Sequence, residues 1–338
     1  MKKPFRSLFS LALSAGLLGY VLTGISLQEI RLAFSRAEWS GMGWMALCIL
    51  LSYVFRAVRW RLMLEPLGHR PPVWRTGAAL MAGSFASMIL PGLGEITRCT
   101  TLQRAGGVPF AKALGTVATE RLCELAALLM VTGIFFSLET RRFRDYVAGL
   151  HRPDDRSLFL ITMIGLPALA LVLFGYKRFR KTRSFSGRHL FVQNTIKFQA
   201  GLRSGLTSIL KLEHPSAFWL LTALIWWLYL LINYAVFAAL PMTRLLPLKA
   251  ALAVLVISAL GGIAVPTQAG LGTYHFLTAY ALQQYGLPAA ESIVAATFMH
   301  SVQLAVHVFL SGISFLVVSL LHGRVPVSTG QTLPTENG

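Results

Sequence analysis

The sequence has few charged residues, and acidic residues are the rarest. Asp, Glu, Lys and Arg make up 13% of the 338 residues, against about 25% in ordinary soluble domains. With 55% apolar residues, so little polar surface cannot cover a soluble globule. The same composition excludes a disordered chain, a collagen and a coiled coil. It predicts an all-α polytopic membrane protein.

Cysteine is also scarce, with only Cys48, Cys99 and Cys123 in the chain. Their spacing suggests neither a disulfide nor a zinc site, so we interpret them as small apolar packing residues. No HExxH or similar ligand spacing occurs. We therefore expect no metal and no cofactor, and we identify no catalytic motif.

Positive charge is in excess, with a formal net charge of +18. In a soluble protein this excess would suggest nucleic acid. In a membrane protein, Lys and Arg collect in cytoplasmic loops and face anionic headgroups. We therefore predict no nucleic-acid partner.

Long apolar stretches predict about six full transmembrane helices. They cover residues 7–25, 42–58, 113–138, 158–176, 218–240 and 291–321. Two further apolar stretches, 76–90 and 250–265, are short and stop near Pro91 and Pro266. We expect a single integral membrane domain over 1–322 and a disordered cytoplasmic tail over 323–338.

The basic segments orient the chain, because Lys and Arg favour the cytoplasmic side. The N-terminus, 59–75 with Arg59 and Arg61, and 177–212 are basic and should be cytoplasmic. These assignments agree only if 76–105 enters and leaves on the cytoplasmic side and 250–285 on the outside. The sequence therefore predicts two re-entrant helical hairpins. Their non-helical turns need a surrounding cavity or protein.

The two broken segments resemble each other. The predicted breaks are Pro91, Gly92 and Gly94 in the first, and Pro266, Gly270 and Gly272 in the second. Each is followed by a Gly-x-Pro, at 107–109 and 286–288, and then by a long span. The pattern favours an inverted-topology repeat of about 42–138 and 218–321, in which matching interruptions mark a transport site. The simpler alternative is that Gly and Pro are common in membrane helices.

The third full span carries three charged residues, Glu120, Arg121 and Glu124. Each costs about 2.5–3.5 kcal/mol to insert. Glu120 and Glu124 share one face of the helix. The three side chains either line the cavity, or Arg121 forms a structural ion pair with an acid such as Glu95.

Glu95 and Arg98 begin the helix after the first pair of glycines, where free backbone N–H groups suit an anion. Arg98 could hold a lipid phosphate that Glu95 orients. In the alternative, Arg98 only extends to the cytoplasmic headgroups.

A polar stripe on the last span contains His300, Gln303 and His307, and His275 follows the second glycine pair. We predict that His275, His300 and Gln303 line the same path with hydrogen-bonding groups. The alternative is that the histidines are satisfied packing residues.

Three motifs together resemble one family. They are Pro91-Gly-Leu-Gly-Glu95-Ile-Thr-Arg98, the Glu120-Arg121 pair and the Gly270-Leu-Gly272 break. The chain resembles the lysylphosphatidylglycerol synthase transmembrane family, also called the flippase-like domain family. One departure is His275, which stands where a common family form has Glu. The best-known members move aminoacylated phosphatidylglycerol between leaflets and carry a soluble synthase domain, which we do not expect here.

The resemblance implies a lipid translocase, moving a phospholipid or lipid-linked headgroup between leaflets of the bacterial cytoplasmic (inner) membrane. Both termini would be cytoplasmic. The expected partners are anionic or polyprenyl-phosphate-linked lipids, and a lipid-modifying enzyme or glycosyltransferase is a further candidate. Without an ATP-binding motif, movement would be passive or ion-driven.

Two alternatives stay open. The first is a membrane-embedded transferase or hydrolase acting on lipid phosphates, with Glu120 or Glu124 as its base. The second is a non-catalytic partner of a lipid- or glycan-synthesis enzyme.

Overall fold

The computed structural model describes residues 3–23, 26–90, 92–139, 189–265 and 267–322. Within these ranges the chain forms α-helices and short 3₁₀ turns, with no strand. The α-helices in chain order are α1 Lys3–Leu22, α2 Leu27–Arg36, α3 Met42–Leu64, α4 Val73–Ile89, α5 Leu93–Gly106, α6 Phe110–Leu138, α7 His189–Leu206, α8 Pro215–Phe237, α9 Leu248–Ala264, α10 Thr273–Gln283 and α11 Ala289–His322.

Among the described residues, four helical stretches are long and apolar enough to cross a membrane: Trp39–Leu67, Phe110–Leu138, Pro215–Phe237 and Ala289–Ser314. They coincide with four of the predicted spans, and α1 covers most of the first. The predicted span 158–176, the start of the basic segment 177–212 and the tail 323–338 lie outside the described residues. The prediction of an all-α polytopic membrane protein is confirmed.

Each broken segment forms two helices that pack against each other, α4 with α5 and α9 with α10. The second helix of each pair is preceded by a glycine with positive φ, Gly92 at +85° and Gly272 at +81°. Glycine adopts this conformation without the steric cost that a Cβ would add, so it lets the chain reverse. Pro91 and Pro266 lie outside the described residues.

The second half of the chain repeats the helix order of the first. Helices α3 and α8 both have 23 residues, and α4 and α9 both have 17. The packing corresponds too: α3 packs on α8, α4 on α11, and α9 on α6. The first helix of each hairpin thus contacts the last helix of the other half. The internal repeat, its limits and its inverted orientation in the membrane stay predictions.

The start of the basic segment 59–75 is helical, and the cytoplasmic location of this segment stays a prediction. Helix α3 continues to Leu64, so Arg59 and Arg61 are helical. The apolar run ends at Arg56, but Trp60 and Leu64 remain fully buried. Their burial extends the helix beyond the point where the sequence turns basic.

Helix α7, from the basic segment, packs closely against α6. A Cβ on Gly115 of α6 would lie 2.4 Å from the Leu202 carbonyl oxygen and 2.8 Å from the Cα of Gly205. The Thr119 hydroxyl also donates to the Leu206 carbonyl at 2.9 Å. The two backbones are therefore in direct contact.

This contact predicts that Gly115→Ala destabilises the protein, because the added methyl group meets backbone atoms that cannot yield without moving α7. We expect a loss of about 1–3 kcal/mol, as for overpacked interiors, seen as a lower midpoint of thermal unfolding in detergent. Gly133→Ala is the matched control, since it lies on the same helix with open space around its Cβ. Equal midpoints for the two variants would contradict the packing described.

Candidate headgroup site

The site is built around the carboxylate of Glu120, which is 1% exposed. Its Oε1 lies 3.1 Å from Nη2 of Arg59, and its Oε2 lies 2.7 Å from Nη1 of Arg98. A charge removed from water is tolerated only when it is paired and hydrogen-bonded. Glu120 therefore joins three helices, α3, α5 and α6.

Arg59 is fully buried, and both of its Nη atoms have partners, whereas its Nε has none among the described residues. Its Nη2 also pairs with Glu124, one turn from Glu120 on α6. Its Nη1 donates to the Thr222 hydroxyl of α8 at 3.2 Å, and its guanidinium lies over the ring of Phe218. Arg59 thus has a structural role in holding α3, α6 and α8 together.

Arg98 is nearly as buried as Arg59, at 2% exposure, but fewer of its nitrogens have hydrogen-bond partners. One nitrogen binds Glu120, and the guanidinium lies 5.2 Å from the ring centroid of Trp60. Within the described part of the chain, its Nε and Nη2 have no hydrogen-bond partner. Buried donors of this kind are expensive to leave unpaired.

Arg56 lies one turn before Arg59 on α3 and is partly buried. The structure places no carboxylate within ion-pair distance of it among the described residues, and its buried Nε has no partner there. Its guanidinium lies 5.9 Å from the ring centroid of Tyr53. Arg56 is therefore a second cation with free donors.

Glu95 and Arg121 form a more exposed pair between α5 and α6. Arg121 Nε lies 3.6 Å from Glu95 Oε1, and the two side chains are 49% and 35% exposed. The ion pair that the sequence suggested as one alternative is thus present. Exposed Leu93 and Ile96 on α5 and Leu122 on α6 surround it with apolar surface.

A cavity of about 450 Å³ lies beside these charges. Helices α3, α4, α5, α6 and α11 line it together with both broken segments, through Tyr53, Arg56, Leu80, Gly83, Ser84, Ser87, Met88, Gly94, Glu95, Arg98, Arg121, Ala269, Tyr274, His300, Gln303, Leu304 and His307. The two breaks also meet, since Gln268 Nε2 donates to the Ile89 carbonyl at 3.3 Å. The cavity is formed jointly by the two halves.

The far wall of the cavity is polar but uncharged. The Tyr274 hydroxyl donates to Asn233 Oδ1 at 3.3 Å, and Gln303 Nε2 donates to that hydroxyl at 3.4 Å. His300 stacks on Tyr274 and its Nε2 lies 2.9 Å from the Ala269 carbonyl of the second break. This wall offers neutral hydrogen-bonding groups.

Five of the eight predicted path residues line the cavity: Glu95, Arg98, Arg121, His300 and Gln303. Glu120 and Glu124 lie behind it, engaged by arginines. His275 is buried behind His300, with ring centroids 4.7 Å apart. The transport roles of all eight residues stay predictions.

The sequence reasoning missed Tyr53, Arg56, Arg59 and Tyr274. Arg56 and Arg59 stand where an apolar run gives way to basic residues, a place where a membrane helix commonly carries Arg. Their spacing of three residues, matching one face of a helix, was the available signal. In the described residues, no group of three or more His, Cys, Asp or Glu side chains is arranged to hold a metal.

The fold and this site define a multi-pass α-helical membrane protein with a polar cavity between two broken helical segments. The family described as Lysylphosphatidylglycerol synthase TM region matches residues 7–311 of the 338, so the chain belongs to that family. The family is a membrane domain linked to lipid metabolism. No curated protein and no solved structure shows significant similarity to this chain.

The network predicts that Glu120→Gln is strongly destabilising, because it leaves two buried guanidinium groups without their shared counter-ion. We expect a loss of about 3–5 kcal/mol, measured as a lower midpoint of thermal unfolding. Glu124→Gln should lower the unfolding midpoint less, because Arg59 still has its ion pair with Glu120.

The control is Glu38→Gln, which removes the partner of Arg244 in an exposed pair. Such a pair contributes at most about 1 kcal/mol. If Glu120→Gln unfolded at the same temperature as Glu38→Gln, Glu120 would not be the centre of a buried network.

Proposed function

We propose that the protein is a lipid translocase, moving a phosphate-bearing lipid between the leaflets of a bacterial cytoplasmic membrane. The observation that carries the proposal is the cavity between the two broken segments, with buried Arg98 presenting unpartnered donors beside it. Arginine suits phosphate, because its planar fork matches the phosphate oxygens. The proposal also includes cytoplasmic termini and lipid as the direct binding partner.

The path for the lipid would open between α5 and α6. The charged pair of Glu95 and Arg121 is exposed there among leucine and isoleucine side chains that also face outwards. A headgroup could enter past this pair while its acyl chains stay on the apolar surface. Broken helices at such a place favour transport, since irregular backbone at membrane depth needs a cavity.

An enzymatic role for the glutamates has less support. A general base needs an oxygen free to take a proton from substrate. Both oxygens of Glu120 are bound by arginines, so Glu120 has no such oxygen, and one of the two oxygens of Glu124 is bound by Arg59. The geometry therefore favours a structural role for these carboxylates and a binding role for the arginines.

The direct test is a leaflet assay with the purified full-length chain in liposomes. Headgroup movement is followed with acyl-chain-labelled phospholipids and an external reductant that destroys the label in the outer leaflet. Protein-dependent loss of the protected label supports the proposal. Protection equal to that of empty liposomes, with a correctly folded protein, would contradict it.

The same assay gives a sharper prediction with Arg56→Gln. This change removes a cavity-lining cation that forms no ion pair in the described residues, so it leaves the direct ion pairs of Glu120 with Arg59 and Arg98 in place. Losing a charge-assisted contact to phosphate, at about 1.5–3 kcal/mol, should slow movement by at least about tenfold.

Arg61→Gln is the matched control, because Arg61 lies on the same helix but pairs with Glu65 away from the cavity. It should move lipid like the unaltered chain. Equal slowing by both changes would mean that general positive charge on α3, and not the cavity, governs the rate.

A further inference from the structure

We infer that the cavity selects a headgroup with one negatively charged phosphate and an otherwise uncharged, hydrogen-bonding remainder, and that it discriminates against headgroups carrying an amine. The inference deepens the proposed function and rests on it for the identity of the ligand as a lipid. It concerns selectivity, which the lipid-translocase proposal leaves open.

The charged side chains described around the cavity carry a net positive charge. Three glutamates, Glu95, Glu120 and Glu124, are each paired with arginine. Among the described residues, the charged groups around the cavity then comprise those three acids and four arginines, Arg56, Arg59, Arg98 and Arg121. With histidines neutral, one positive charge remains uncompensated. A single phosphodiester anion would balance it.

That positive charge lies on Arg56 and Arg98. Arg59 forms ion pairs with two glutamates, and Arg121 forms an ion pair with Glu95. Arg56 lines the cavity without an ion pair in the described residues, and Arg98 has two nitrogens free of partners there. The excess positive charge therefore lies on Arg56 and Arg98, beside the cavity. An anion between these two guanidinium groups would accept hydrogen bonds from buried donors that have no partner among the described residues.

The far wall of the cavity suits the remainder of the headgroup. The wall formed by Tyr274, His300 and Gln303 offers hydroxyl, imidazole and amide groups. These groups can exchange hydrogen bonds with hydroxyls of glycerol or a sugar. A cavity of about 450 Å³ also falls in the range of small-ligand sites, which suits a headgroup without its acyl chains.

Among the described residues, the cavity lacks a free counter-ion for an amine. Among the residues that line the cavity, Glu95 is the one carboxylate, and Arg121 already holds it. An ammonium group would therefore enter a site with excess positive charge. Like charges at short range oppose binding, and such repulsion is a means of specificity.

The test is a binding measurement on the full-length chain in detergent, made separately from lipid movement. The probes are dioctanoyl-phosphatidylglycerol, dioctanoyl-phosphatidylethanolamine, lysyl-phosphatidylglycerol with the same chains, glycerol phosphate and inorganic phosphate. Affinity is read from the ligand-dependent shift of thermal unfolding. We expect phosphatidylglycerol to bind at least about tenfold more tightly than either amine-bearing lipid.

Equal affinities, or tighter binding of an amine-bearing lipid, would overturn the inference. Tighter binding of inorganic phosphate or glycerol phosphate than of phosphatidylglycerol would overturn the lipid as the source of the anion. A preference for phosphatidylglycerol without any movement in liposomes would refute the proposed translocation and keep the selectivity. Movement of all the lipids, together with equal affinities, would support the proposed translocation and refute the selectivity.

A substitution in the cavity wall tests whether the selectivity arises in the cavity. Gln303→Glu adds a carboxylate of nearly the same shape to the neutral wall and removes the excess positive charge. It should cut the preference for phosphatidylglycerol over phosphatidylethanolamine by about tenfold. Gln103→Glu is the control, because Gln103 is exposed on α5 and does not line the cavity.

An unchanged preference in Gln303→Glu, or the same drop in Gln103→Glu, would overturn the inference. If Gln303→Glu does not fold, Arg56→Gln lowers the site charge by the same amount without removing an ion pair of Glu120, and it should give the same loss of preference. Unchanged preference in that variant would overturn the inference equally.

Discussion

The structure depends on keeping a carboxylate charged away from water. Glu120 is nearly inaccessible, and it is stable there because Arg59 and Arg98 bind its two oxygens. That requirement fixes α3, α5 and α6 at one point, and Thr222 extends the connection to α8. Such networks are costly to break from one side, so α3, α5 and α6 cannot shift independently of one another.

The same network explains why a site can exist beside it. Arg59 forms most of the structural ion pairs. Within the part of the chain that the structure describes, Arg98 keeps unused donors and Arg56 has no carboxylate partner. The two broken segments then bring irregular backbone to the cavity, and the contact between Gln268 and Ile89 joins them. A positively charged, polar pocket thus lies between apolar helices, which is the arrangement expected for a phosphate site in a membrane protein.

Sequence reasoning predicted the helical class, the two breaks and the shared face of Glu120 and Glu124, because apolar length, glycine and helical spacing are local signals. It failed where a residue's role depends on distant partners. Arg59 resembles any arginine at the end of a span until Glu120 and Thr222 are placed beside it. His275 follows the glycines as expected, yet His300 of α11 separates it from the cavity. Burial of that kind is set by tertiary packing.

The most direct test of the account is a map of the full-length chain in phosphatidylglycerol nanodiscs at a resolution that shows lipid phosphates. The account predicts a phosphate within hydrogen-bond distance of the guanidinium groups of Arg98 and Arg56, between the two broken segments, with acyl chains leaving between α5 and α6. A map in which Arg98 satisfies its remaining nitrogens with protein groups, and lipid lies only on the outer surface, would contradict it.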